Sequence, residues 1–276
     1  MNIAAKKIIV IAGTPVDTRM GADAIAISGT GQEWQPLEFP ISATPQEQNE
    51  LQYLDPERLH ELYEAKVREG IEAGGQAVFL YCNSLSTAIN YHAVAERLGV
   101  PTISPLDVYA DWASRYSRLG LIAANSQAAT GIEAHMRAVN PHVEIISLGL
   151  LPVVQAIEEQ LPPREIIKDF GLAELLSWFG ALRFDHAVTA AQPVTEMASA
   201  SREILVNRSV KEAVTGAVTA LEQQTLEGAM PTSEILQGVI LGCTHFPYLK
   251  AELATISNLP LLDPAQEMLS RLSAAL

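Results

Sequence analysis

The sequence predicts an α/β fold of two pseudo-symmetric, doubly wound (flavodoxin-like) parallel-sheet domains, with the active site in the cleft between them. Short apolar runs alternate with longer amphipathic stretches, which is the pattern of βα units in a parallel sheet. Two of these runs end in the two cysteines of the chain, Cys82 and Cys243, and small polar residues follow each cysteine. Because ligands bind beyond the carboxyl ends of parallel strands, we expect the two thiols to face one site from opposite halves.

The first half begins with a strand and contains one long amphipathic helix. Leu59, Leu62, Tyr63 and Val67 share a face at helical spacing, and the glycine pair at 74–75 ends that helix. The elements predicted for this half are strands at 7–11, near 37–39, at 77–82 and at 100–105, and helices at 56–73 and 86–98.

The pattern restarts after Pro101, which predicts a second domain of the same kind. Its predicted elements are strands at 118–124, 143–148, 238–243 and 259–262, helices at 128–139 and 201–226, a helical region at 153–183 broken by two prolines, and a terminal helix. We expect one domain to comprise about residues 1–102 plus 248–276 and to carry Cys82. The other would comprise about 103–247 and carry Cys243.

The composition excludes several classes of partner. The chain has 276 residues, 48% of them hydrophobic, and a net charge of −14, which disfavours nucleic acid and anionic lipid. The apolar stretch at 8–12 is too short for a signal peptide or a membrane span, and nothing elsewhere is long enough. We therefore predict a cytoplasmic protein with both thiols reduced, although a disulfide between them is the alternative.

The residues around the thiols suit proton transfer at carbon. A thiolate can serve as the base, and helix N-termini that follow Cys82 and Cys243 would stabilise it and bind a substrate carboxylate. His245 could tune Cys243 or relay its proton. The alternatives are that both cysteines are inert core residues and that the histidine is structural. No Cys-x-x-Cys or His-x-x-x-His pairing occurs, so we expect no metal and no cofactor.

Two motifs resemble the aspartate/glutamate racemase superfamily. The string Leu-Gly-Cys-Thr-His-Phe-Pro-Tyr-Leu at 241–249 resembles the second cysteine motif of glutamate racemase, in which histidine rather than glutamate follows Cys-Thr. Cys-Asn-Ser at 82–84 resembles the first cysteine motif, and the segment at 261–265 also fits. The resemblance implies a racemase of this fold whose catalytic residues are Cys82, Cys243 and His245.

The substrate loops depart from the family pattern. Ala-Gly-Thr-Pro-Val-Asp at 12–17 replaces Asp-Ser-Gly-Val-Gly-Gly, Phe-Pro-Ile-Ser at 39–42 replaces a Pro-Tyr-Gly loop, and Ala-Asn-Ser-Gln at 124–127 replaces Thr-x-x-Thr. Asp17 could replace the missing family aspartate or could cap a helix, and Asn125 and Ser126 could contact substrate or cap the next one. The predicted substrate-binding residues are Thr14, Asp17, Ile41, Ser42, Asn83, Ser84, Asn125, Ser126 and Thr244.

The function that the resemblance implies is cofactor-independent racemisation of an acidic amino acid, glutamate or aspartate-like, by two opposed thiols. Because the loops differ, we expect glutamate to be a poor substrate. The alternatives are a maleate-type cis–trans isomerase, a hydantoin-type racemase, and a ligand-binding sensor on a racemase scaffold. The expected partners are an amino acid or a dicarboxylate and a second copy of the chain in a homodimer.

Overall fold

The computed structural model describes residues 5–28, 33–51, 53–181 and 235–276, and these form two parallel sheets of four strands each. The strand orders are β2-β1-β3-β4 in the first sheet and β6-β5-β7-β8 in the second. The two orders are equivalent, with β1 matching β5 and β3 matching β7, so the predicted fold class is confirmed. The strands are β1 (Lys6–Ile11), β2 (Trp34–Glu38), β3 (Ala77–Leu80), β4 (Thr102–Ile103), β5 (Arg118–Ala123), β6 (Glu144–Gly149), β7 (Val239–Gly242) and β8 (Leu261–Leu262).

Helices flank both sheets and connect successive parallel strands, as crossover connections require. In the first half they are α1 (Pro15–Ala26), α2 (Pro45–Leu51), α3 (Pro56–Glu72), α4 (Asn83–Ala88), α5 (Tyr91–Leu98) and α6 (Pro105–Arg115). In the second half they are α7 (Ser126–Val139), α8 (Leu151–Glu158), α9 (Pro163–Asp169), α10 (Leu172–Ala181), a 3₁₀ turn (Phe246–Leu249), α11 (Lys250–Leu253) and α12 (Ala265–Ala275). None of these described helices is long and apolar enough to cross a membrane.

The strands that carry the cysteines are buried on both faces. Every residue of β3 and β7 is buried, and both strands consist of apolar residues and glycine. β3 pairs with β1, placing Val10 beside Phe79, and β7 pairs with β5, placing Ile122 beside Leu241. A continuous apolar run is the pattern expected of a parallel strand covered by helices, and it fixes where each cysteine emerges from its sheet.

The structure differs from the prediction at several helices, among them α2, which was not predicted. The helix predicted at 86–98 is two helices, because Ile89 is extended and the Asn90 side chain accepts a hydrogen bond from the N–H of Ala93 at 3.1 Å, which starts α5. Helix α6 was not predicted, although Ser104 and Asp107 form a capping box at its start. The helix predicted at 201–226 and the end of the region predicted at 153–183 lie outside the described residues.

The C-terminal segment contacts both halves. Strand β8 pairs with β7 in the second sheet, whereas α12 packs against β3 and β4 of the first sheet and against α6. Glu267 of α12 also accepts a hydrogen bond from the indole N–H of Trp112 at 3.1 Å. The sequence-based boundaries at about 102 and 248 stay a prediction.

Candidate active site

The two cysteines lie just beyond the carboxyl ends of the corresponding strands β3 and β7, one residue apart in register. Cys82 follows β3 after Tyr81, and Cys243 follows β7 directly. Both are free thiols, and each is only 5% exposed. In each sheet the strand order reverses between the strand that comes first in the chain, β1 or β5, and its neighbour β3 or β7. Both thiols follow a strand at this switch point, where ligands usually bind in this fold.

The Cys82 thiol is held in its neutral form. Burial raises its pKa, and the negative charges of Asp17 and Cys243 raise it further, whereas the backbone N–H groups of Leu85 and Ser84 lower it. Burial prevails, and the pKa lies well above that of an ordinary thiol. The start of α4 therefore lowers the pKa of Cys82 as expected, but the expected net result, a stabilised thiolate, was wrong because burial outweighs these N–H groups.

Cys243 has a different environment, because an imidazole and a carboxylate stand behind it. Its Sγ lies 3.4 Å from Nδ1 of His245, and Nε2 of the same ring lies 2.6 Å from Oε1 of Glu158. Burial lowers the pKa of His245, but Cys243 and Glu158 outweigh it and hold that pKa well above its ordinary value. Burial likewise raises the pKa of Glu158, but its hydrogen bonds to His245 and Thr14 leave it lowered. These contacts therefore favour a charged imidazolium of His245, which lies between the sulfur of Cys243 and the carboxylate of Glu158.

Glu158 also connects the two halves of the molecule. The hydroxyl of Thr14, the N-cap of α1, donates to Oε1 of Glu158 at 2.6 Å. The same carboxylate oxygen therefore contacts the first half through Thr14 and the second through His245. Glu158 was missed in the sequence because it lies 87 positions from His245, at the end of an ordinary amphipathic helix. No local motif marks it.

Asp17 is buried beneath the loop after β1. It is the third residue of α1 in a capping box whose N-cap is Thr14, so Asp17 supports the cap rather than forming it. Its carboxylate accepts from the backbone N–H groups of Gly13 at 3.1 Å and Thr14 at 2.6 Å. Burial raises its pKa, although His245 and these two N–H groups oppose the rise. Whether Asp17 replaces the family aspartate stays a prediction.

Asn83 presents a buried amide beside Cys82. Its Oδ1 accepts a hydrogen bond from the hydroxyl of Tyr109 at 2.8 Å, and both side chains are buried. Its Nδ2 is buried as well and has no hydrogen-bond partner within the part of the chain that the structure describes. A buried donor without a partner costs free energy, so this N–H₂ group is available for a ligand.

A cavity of about 530 Å³ opens at the Cys82 thiol, with walls from both halves. Four of the predicted site residues line it: Cys82, Ile41, Ser84 and Asn125. The other predicted residues lie outside its lining: Thr14, Asp17, Ser42, Asn83, Ser126, Cys243, Thr244 and His245. Among these, Ser42 donates to the carbonyl of Gly13 at 2.6 Å, and Thr244 is buried. Their contact with a substrate stays a prediction.

Asn125 combines a structural role with a place on the cavity wall. Its Oδ1 accepts from the backbone N–H of Ala128 at 2.8 Å, so it is the N-cap of α7, and Ser126 is the first residue of that helix.

Within the described ranges, no group of three or more His, Cys, Asp or Glu side chains could hold a metal ion.

Solved structures share this fold. No protein-family model matches the chain, and no curated protein sequence matches it. Glutamate racemase of Francisella tularensis in complex with D-glutamate is similar at 17% identity and a TM-score of 0.56, over 98% of this chain and 81% of that one. Glutamate racemase RacE1 of Bacillus anthracis is similar at 14% identity and a TM-score of 0.59, over 99% and 81%. Aspartate racemase of Picrophilus torridus is similar at 11% identity and a TM-score of 0.51, over 98% and 94%. The chain thus has the fold of the aspartate and glutamate racemases.

Proposed function

We propose that this protein is a cofactor-independent amino-acid racemase in which Cys82 and Cys243 exchange a proton at the α-carbon from opposite sides. The observation that carries the proposal is the matching placement of the two thiols. Each follows the third strand in the order of its sheet, and the two sheets have equivalent orders. The fold shared with solved racemases supports the same reaction class.

The different surroundings of the two thiols suit one of them to donate a proton and the other to accept one. In one direction, Sγ of Cys243 removes the α-proton, so that the Cα–H bond breaks and an S–H bond forms. The electron pair left on Cα is delocalised into the adjacent carboxyl group. Cys82, protonated at rest, then donates its proton to the opposite face of Cα. The product is the other enantiomer, and the two cysteines have exchanged protonation states, ready for the reverse direction.

His245 and Glu158 are positioning residues in this proposal. The imidazolium lies 3.4 Å from Sγ of Cys243 and would compensate the negative charge of that sulfur when it serves as the base. The Glu158 carboxylate, 2.6 Å from the other ring nitrogen, fixes the orientation and charge of the ring. Asn83 would donate to the substrate its N–H₂ group, which has no hydrogen-bond partner among the described residues, and Tyr109 would hold that amide in place.

Several expectations from the sequence remain parts of the proposal. These are an amino acid as substrate, a homodimer and a cytoplasmic location, whereas the acidic side chain stays a prediction from the motifs. The neighbour from Francisella tularensis was solved with D-glutamate, which supports an amino-acid ligand for this fold but leaves the side chain open. The maleate-type isomerase, the hydantoin-type racemase and the sensor are the competing functions.

Isotope exchange tests the proposal directly. Single enantiomers of amino acids are incubated with the full-length protein in deuterated water, and the products are analysed on a chiral column and by mass. We expect the inverted product to carry deuterium at Cα without added pyridoxal phosphate. Absorbance loss with maleate would identify the isomerase instead. Calorimetric binding without turnover on any candidate would identify a sensor and contradict the racemase.

A further inference from the structure

The walls of the cavity at Cys82 are predominantly apolar. Side chains of Ile41, Leu51, Leu59, Leu85 and Val154 line it, and they come from four separate helices and from the loop between β2 and α2. Leu59, Leu85 and Val154 are each less than a tenth exposed, so they form part of the packed interior. Apolar walls contributed by so many elements favour an apolar group of the ligand, because its transfer from water is favourable at roughly 25 cal/mol per Å².

The cavity is also large for an acidic amino acid. Its volume of about 530 Å³ lies within the range of roughly 300–1,000 Å³ that holds drug-sized ligands. A water molecule occupies only about 30 Å³ of the liquid, so the cavity is many times larger than a single solvent molecule. A substrate that places its α-carbon at Cys82 therefore leaves room for a bulky substituent between the leucines of α3 and α4 and the start of α8.

The charged and polar side chains on the lining define the other end of the substrate. Glu158 contributes a carboxylate to the lining. Burial raises its pKa, but the hydrogen bonds with His245 and Thr14 outweigh burial and leave the pKa lowered, so the group is ionised. Within the described part of the chain, no Lys, Arg or His lines the cavity. A second carboxylate on the substrate side chain would lose its hydration beside a like charge. Neutral groups such as Ser84, Asn125 and Gln127 can instead bind the amide or carboxyl group at the reacting carbon.

We infer that the substrate carries an uncharged, apolar side chain of about the size of methionine or phenylalanine at the carbon that is inverted. This inference rests on the racemase function proposed above and departs from the acidic substrate predicted from the motifs. The side chain lies against Ile41, Leu59, Leu85 and Val154, and the polar end lies beside Cys82. Two chemical sources share this feature: the free amino acid, and the cyclic amide in which its amino and carboxyl groups are joined as a hydantoin.

A size-matched panel separates charge from volume. Deuterium uptake and inversion are measured in deuterated water for methionine, glutamine and glutamate, whose side chains have similar length, and for phenylalanine. The same side chains are presented in a second arm as 5-substituted hydantoins, with enzyme-free controls for spontaneous exchange. We expect kcat/KM to be at least about 10-fold higher for the methionine side chain than for the glutamate side chain in whichever arm reacts.

The outcomes distinguish failure of this inference from failure of the racemase function. Equal rates for the glutamate and methionine side chains, or a preference for glutamate, would overturn the apolar substrate and leave the racemase intact. Exchange in neither arm would overturn both. Turnover restricted to the hydantoins, with the methionine side chain preferred, would support the apolar side chain, assign its source to the cyclic amide and replace the amino-acid racemase by the hydantoin-type racemase.

A charge placed on the wall provides a second test. The variant Ile41→Lys adds a cation to the half-buried residue that follows β2 on the cavity wall. We expect the ratio of kcat/KM for glutamate to that for methionine to rise about 10-fold or more, since the cation would pair with the substrate carboxylate. The control Ile27→Lys adds the same charge at a residue that is 78% exposed and outside the cavity, and should leave the ratio unchanged. Circular dichroism verifies folding, and an unchanged ratio in folded Ile41→Lys would contradict the inference.

Discussion

Cys82 and Cys243 follow equivalent strands of equivalent sheets, but their electrostatic surroundings differ. Cys82 and Cys243 both follow a buried strand at the same place in equivalent sheets. Burial and the carboxylate of Asp17 raise the pKa of Cys82, which favours its neutral thiol. Cys243 instead faces His245, whose ring is held in turn by Glu158. Strand order positions a thiol, but the side chains packed behind it influence its charge.

This difference would bias the direction of two-base proton transfer. At any moment one group must accept a proton and the other must donate one, and different surroundings influence which sulfur rests protonated. The contact from Thr14 to Glu158 links the first half to the group that holds His245. The predictions below remove one part of this arrangement at a time.

The largest effect is expected from removing either sulfur. Cys82→Ser and Cys243→Ser should each lower the rate of inversion by roughly 10³-fold or more, because acid and base act as a unit. The double variant should be little worse than either single one. Chiral analysis of the product measures the rate, and thermal unfolding controls for folding. Activity close to wild type in either single variant would contradict the two-thiol mechanism.

Glu158→Gln is expected to have the next largest effect. The amide keeps the shape of the side chain, but the charge that supports the His245 imidazolium is lost, which should cost about 10- to 100-fold in kcat/KM. Because Glu158 helps to raise the pKa of His245, its removal lowers that pKa. The alkaline limb of the pH–rate profile should therefore move to lower pH. Glu159→Gln removes the same charge from the exposed neighbour and should leave the profile in place.

Stability should depend on pH through the same pair. The pKa of His245 is raised on folding, so its stabilising contribution is complete below the unfolded value of about 6.5 and is lost as the pH rises through the folded value. The pKa of Glu158 is lowered, so its contribution is present above about 4.3 and is lost as the pH falls. Wild type should exceed His245→Gln in unfolding free energy by about 2 kcal/mol near pH 6. Denaturant titrations should show this excess shrinking at alkaline pH, and a growing excess would be the wrong sign.

The smallest effect is expected behind Asn83. Tyr109→Phe removes the hydroxyl that donates to Oδ1 of Asn83 and should raise KM about two- to tenfold, since the amide is then free to turn. Tyr91→Phe is the matched control, because its hydroxyl donates to Asp107 at 3.0 Å, away from the cavity. A similar change of KM in both variants would mean that the effect is structural.

The sequence predicted those parts of the site that depend on local patterns. Apolar runs ending in Cys82 and Cys243 predicted where the strands end, and the alternation of elements predicted the fold class. The break at Ile89 escaped notice, because a helical pattern runs across it and only the cap at Asn90 interrupts it. These features lie within a few residues of each other, so propensity and capping rules can address them.

Contacts between residues far apart in the sequence could not be predicted from local patterns. Glu158 reaches His245 and Thr14 across 87 and 144 positions, and nothing near it in the sequence distinguishes it from a surface glutamate. The sign of the pKa shift at Cys82 was predicted wrongly, because burial is a property of the packed interior rather than of the motif. The apolar walls of the cavity likewise come from elements far apart in the chain.

Thiolate absorbance in a single-cysteine variant tests the central claim most directly, namely that the side chains packed around a thiol, rather than its place in the sheet, decide its charge. In Cys243→Ser, which keeps Cys82, burial and Asp17 remain, and we expect thiolate absorbance to be absent at neutral pH and to emerge only under strongly alkaline conditions. A thiolate of Cys82 at neutral pH in this variant would contradict the account.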